Sequence, residues 1–156
     1  MKSCGRYLLI LVPALWLGMV LAISMLEAPL KFQAPGITLA LGLGIGRIVF
    51  AVLNRVEITL MLLTYAGLYM MAVRPRSFVL LHLLAIILLL QTFWLLPVLD
   101  TRALAIIQGN PPPESSLHLL YIGLEILKIV LLIATSVTNA KFVFGTIKLE
   151  NRLDHQ

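Results

Sequence analysis

The sequence predicts an all-α integral membrane protein: a four-helix bundle with an extra interfacial or re-entrant helix between spans one and two. Three observations predict it. The 156-residue chain is 60% hydrophobic and 12% charged, with a mean hydropathy of +1.01, whereas soluble domains run at roughly 45–50% apolar and about 25% charged. Four separate runs approach or exceed the ~20 residues that a helix needs to cross a hydrocarbon core. The Lys and Arg residues stand in short clusters at the ends of those runs.

A chain of this size has too little interior to hide so much apolar surface from water. Lipid has to cover the rest, and the bilayer is the first expected partner. The net charge of +5 then fits anionic headgroups and the bias of Lys and Arg toward the cytoplasmic side. No face interleaves basic and aromatic residues, which argues against nucleic acid as a partner. Cys4 is the sole cysteine, which excludes an intramolecular disulfide and a CxxC metal site.

The first run, residues 7–26, follows Lys2 and Arg6 and contains Val20-Leu21-Ala22, so it has some features of a cleavable signal. At 20 residues it is long enough to span, and three more spans follow, so it is read as a retained first helix. The second, third and fourth spans are residues 56–73, 78–99 and 117–138. Lipid supplies no hydrogen-bond partners, so these runs are expected as helices, and no alternating pattern suggests a barrel.

Residues 36–54 form the difficult stretch, apolar enough to be a fifth span. Charge counting decides the matter. With four spans and the N-terminus inside, Lys2, Arg6, Arg74, Arg76, Lys141, Lys148 and Arg152 lie in the cytoplasm. Lys31, Arg47, Arg55 and Arg102 lie outside, seven against four, with Lys128 within the membrane. A fifth span reverses this bias and leaves almost no connection at Asn54-Arg55. The expectation is therefore four spans, both termini in the cytoplasm of a bacterial inner membrane, and residues 36–54 as an interfacial segment. Gly42 and Gly46 form a small-xxx-small pair suited to close helix packing. Arg74-Pro75-Arg76-Ser77 reads as a tight turn, and the Pro-rich stretch 109–113 as a stiff outer loop.

Chemistry concentrates on the fourth helix. His118, Tyr121, Glu125, Lys128, Leu132, Thr135 and Asn139 fall on one stripe, six of the seven polar. A charge at the bilayer centre costs about 2.5–3.5 kcal/mol even on lenient scales, so this stripe is expected to face protein or water. Glu125 and Lys128, three apart, are placed to pair. That pair is either a proton, ion or polar-ligand site or a structural bridge that fixes helix register. Glu57 lies near the outer end of its predicted span, level with Glu27, Arg47 and His118, and a cluster of these four at the outer face is expected. His82 falls at the cytoplasmic end of the third helix, opposite His118. One of these histidines is the candidate ligand for a haem or metal, but the pair is too far apart in depth for bis-His ligation. No cofactor is otherwise called for.

Glu27-Ala28-Pro29-Leu30-Lys31-Phe32, with Gly42, Gly46-Arg47 and Phe50 after it, resembles the small four-helix membrane proteins related to transmembrane protein 205. Their pattern has a Pro and a Phe after the first helix, a Gly-rich second segment and a polar last helix. The resemblance implies a multi-pass membrane protein without an established enzymatic activity, and it carries over no catalytic residues. Glu27 and the long outer loop depart from the pattern. The expected role is ion or small-solute handling, or assembly with copies of itself or a membrane partner subunit. The alternative is a redox-linked subunit using His82 or His118. A lipid-processing enzyme built on Glu57 and His118 ranks last, since no nucleophile accompanies them.

Overall fold

A computed structural model describes residues 2–71 and 77–153. They form four long helices: α1 (Ser3–Gln33), α2 (Leu39–Met71), α3 (Ser77–Ile107) and α4 (Leu117–Leu153). Each is long and apolar enough to cross a membrane, and there is no strand among the described residues. The expected turn at Arg74-Pro75-Arg76 lies outside the described residues. Helix α1 packs against both α2 and α4, and α3 completes the ring against α4 and α2. An ion pair from Arg6 to Glu150 ties the first helix to the last beside the two termini.

The burial pattern is that of a protein dissolved in hydrocarbon. Only 22–33% of the most apolar stretch of each span is buried, and outward-facing residues such as Ile48, Tyr69, Phe93 and Leu119 are largely exposed. The interior holds Leu9, Trp16, Leu84, Leu88 and Leu132 together with the polar Asn54, Glu57, Gln91, Glu125 and Lys128. Four apolar helices of this kind mark an integral membrane protein.

Residues 39–54 are not a separate interfacial helix. They are the first half of α2, which runs unbroken for 33 residues, about 50 Å at 1.5 Å per residue. Asn54, which looks like a break in the sequence, is buried. Its side-chain amide donates to Thr92 Oγ1 at 3.0 Å, and Thr92 Oγ1 lies 3.2 Å from Asn54 Oδ1. A polar residue answered by the neighbouring helix is no reason for a helix to stop.

Three prolines sit inside the spans, and each leaves a mark. A helical proline lacks the N–H that would bond back four residues, and its ring crowds that carbonyl. Pro13 therefore frees the Leu9 carbonyl, which accepts instead from Asn139 Nδ2 of α4 at 3.0 Å. Ahead of Pro29 and Pro97 the backbone widens into π-turns, Leu21–Glu27 in α1 and Gln91–Leu95 in α3. The residue before each proline bonds five positions back, Ala28 N–H to Ile23 and Leu96 N–H to Gln91. The carbonyls that the two rings would crowd, at Met25 and Phe93, both lie within the widened segments.

Gly36 and Gly109 have φ of 83° and 80°. Gly109 ends α3 in a Schellman motif, with its own N–H on Ile106 O and that of Asn110 on Ala105 O. Thr38 opens α2 by accepting the Leu41 N–H on its hydroxyl.

Helices α1 and α2 are in close backbone contact where Gly5 meets Gly67. A Cβ added at Gly67 would come within 3.0 Å of Leu8 Cβ and 3.3 Å of the Gly5 carbonyl. Gly42 and Gly46 serve instead as a floor for the Phe32 ring and the Lys31 side chain. Gly67→Ala is expected to lower stability in detergent by about 1–3 kcal/mol through overpacking, while Gly18→Ala, which faces open space, leaves it unchanged. Thermal unfolding of the two variants side by side checks this.

Candidate functional site

The α4 stripe leads to the centre of the bundle. Glu125 and Lys128, three residues apart, share its inward face, and Lys128 Nζ donates to Glu125 Oε1 at 2.7 Å. The same ammonium donates to Glu57 Oε1 of α2, also at 2.7 Å. One lysine thus bridges two carboxylates from two helices. Lys128 is 0% exposed, and Glu57 and Glu125 are each 1% exposed.

The other two helices complete the shell. Trp16 of α1 donates its indole N–H to Glu57 Oε1 at 2.8 Å. Ser24, in the α1 π-turn, donates to Glu125 Oε2 at 2.8 Å. Gln91, at the start of the α3 π-turn, donates its amide N–H to Glu125 Oε1 at 2.8 Å. Both π-turns therefore deliver a polar side chain to the same carboxylate. A π-turn rotates the residues after it relative to those before, which is why such turns recur at functional sites. Tyr121, one turn before Glu125, is buried and meets the Phe50 ring edge-on at 5.6 Å between centroids.

The structure brings Glu57, Tyr121, Glu125 and Lys128 into one core and leaves the other sequence candidates outside it. The expected outer cluster of Glu27, Arg47, Glu57 and His118 does not assemble. Because α2 begins at Leu39, Glu57 lies at mid-helix, at the depth of Lys128 and far from the outer end. Arg47 is held by Asp100 of α3, with Nε and Nη2 on the two carboxylate oxygens at 2.5 and 3.0 Å. Glu27 pairs with Lys31 at 3.3 Å, whose ammonium also lies 5.5 Å from the Phe50 ring centre. His118 is exposed in the first turn of α4.

His82 is also exposed, with Nδ1 2.7 Å from the Phe78 carbonyl and its ring edge-on to Tyr65. The two histidines do not share a site. Among the described residues no group of three or more His, Cys, Asp or Glu side chains is gathered for a metal ion.

Trp16, Ser24 and Gln91 were not among the sequence candidates. A lone indole or amide in a long apolar run carries no spacing signal of its own. The usable clue was proline: Ser24 precedes Pro29 by five residues and Gln91 precedes Pro97 by six.

Both carboxylates depend on the one lysine they share. Removing one member of a buried ion pair costs about 3–5 kcal/mol because its partner is left uncompensated. Lys128→Met is thus expected to lower the melting temperature in detergent sharply, and adding Glu57→Gln and Glu125→Gln to it should recover most of the loss. Melting curves for the single and triple variants check this. No known protein family, curated protein or solved structure matches the chain.

Proposed function

We propose that this protein binds and passes a proton at the buried Glu57–Lys128–Glu125 triad, as a multi-pass membrane protein that performs no covalent chemistry. The observation that carries this reading is the charge balance. Two carboxylates share one ammonium, out of contact with solvent, so the fully ionised triad has one negative charge without a counter-ion. A net charge in a low-dielectric interior is unfavourable, and one proton neutralises it.

The partners of the two carboxylates point to Glu125 as the proton carrier. Glu57 is held by Trp16 and Lys128, an indole and an ammonium that can only donate, and both favour a carboxylate. Glu125 is held by Ser24 and Gln91 as well as Lys128. A hydroxyl and an amide each carry both a donor and an acceptor, so they serve a carboxylate or a carboxylic acid equally well. Gln91 Oε1 is buried with no partner, an acceptor available to an acid proton once the amide turns over.

In this reading the bilayer is a bacterial inner membrane and both termini face the cytoplasm. What supports the orientation is the distribution of Lys and Arg, with Lys2, Arg6, Arg74, Arg76, Lys141, Lys148 and Arg152 toward one side against Lys31, Arg47 and Arg102 toward the other, together with the ion pair between Arg6 and Glu150.

The protein in liposomes carrying a pH-sensitive dye, under an imposed potential, is expected to take up protons. Glu125→Gln keeps an acceptor for Lys128 and removes the uncompensated charge, so it should fold normally and lose nearly all proton flux. Equal flux through the wild type and Glu125→Gln, with matched melting curves, would refute a proton role for the triad.

A further inference from the structure

Arg55 lies on the outer surface of α2, and its guanidinium has no ion pair or hydrogen bond among the described residues. Its depth makes this unusual. The apolar run of α3 ends at Asp100, whose pairing with Arg47 marks the level where the helices become polar. Arg55 is eight residues beyond Arg47 along α2, about 12 Å deeper at 1.5 Å per residue. An unpaired arginine at that depth, facing hydrocarbon, needs an anion or has to reach back toward the headgroups.

A groove runs between these two arginines. It is shallow, open on the outer face of the bundle, and about 700 Å³ in volume, within the ~300–1,000 Å³ range of ligand sites. Gly44, Ile48, Ala51 and Val52 line it, with the Arg47–Asp100 pair on one side and Arg55 at the deep end. Gly44 has open space where a side chain would be. Because Asp100 neutralises Arg47, the groove carries a net charge of +1, supplied by Arg55.

We propose that this groove receives the phosphate of one anionic phospholipid, which Arg55 meets by reaching back toward the headgroups, while an acyl chain continues inward past Arg55 along the exposed face of α2. A phosphodiester with an uncharged head carries one negative charge, which matches the groove, and its oxygens accept the guanidinium fork bidentately. A zwitterionic lipid offers the same phosphate together with a cation that the groove does not answer. The site is separate from the Glu57–Lys128–Glu125 triad and independent of the role assigned to it.

The test is retention of lipid by the purified protein, measured by native mass spectrometry after incubation with phosphatidylglycerol or phosphatidylcholine in detergent. The wild type is expected to keep about one phosphatidylglycerol per chain and to prefer it over phosphatidylcholine by about tenfold, as one charge-assisted contact implies. Arg55→Gln, a surface change, should abolish the preference. Gly44→Leu, which fills the groove without touching the charge, should weaken binding of both lipids. Equal retention of the two lipids by the wild type, or an undiminished preference in Arg55→Gln, overturns the proposal. So does a wild-type dimer that Arg55→Gln converts to monomer with lipid retention unchanged, since Arg55 then belongs to a contact between copies.

Discussion

Hydrocarbon cannot hydrogen-bond, so a polar group carried into it has to be answered from within the bundle or reach the headgroups. That constraint bears hardest on Lys128, whose ammonium is fully buried between carboxylates of α2 and α4. Trp16 of α1 and Gln91 of α3 close on the same carboxylates, so all four helices meet at one polar centre. The remaining packing is mainly leucine, valine, isoleucine and methionine, which pack against lipid tails nearly as well as against one another. Polar contacts therefore decide which faces turn inward and which register the helices adopt.

The prolines work within the same constraint. Each leaves a carbonyl without its usual donor, and each deficit is met differently. At Pro13 a side chain from another helix, Asn139, takes the free carbonyl and so joins α1 to α4. At Pro29 and Pro97 the backbone adapts by lengthening a turn, and in doing so aims Ser24 and Gln91 at Glu125. Residues that weaken a water-soluble helix thus position the polar core of this one.

The four apolar helices were legible in the sequence because their composition and length leave few alternatives. The Glu125–Lys128 contact was legible for a similar reason, since a separation of three on one helix fixes a shared face. What lay across helices was not. Read from the sequence, Glu57 falls at the outer end of a span because Asn54-Arg55 resembles a boundary, and the Thr92 partner that lets Asn54 sit inside a helix is 38 residues away. An incorrect helix start moved Glu57 by half the membrane and placed it with Arg47 and His118 instead of Lys128. Asp100 as the partner of Arg47 was hidden likewise, because α3 continues to Ile107 beyond the apolar run. Local periodicity gives the face a residue occupies; its depth depends on where the helix begins, and pairing depends on depth.

The bridge across Lys128 also sets an order of events during synthesis. Glu57 precedes Lys128 by 71 residues, so at about 5–20 residues per second a ribosome completes the counter-ion roughly 4–14 s after the carboxylate. Throughout that interval Trp16, 41 residues before Glu57, has already been made. Of the two donors that hold Glu57 in the finished bundle, the indole is the one synthesised before it and Lys128 the one synthesised after.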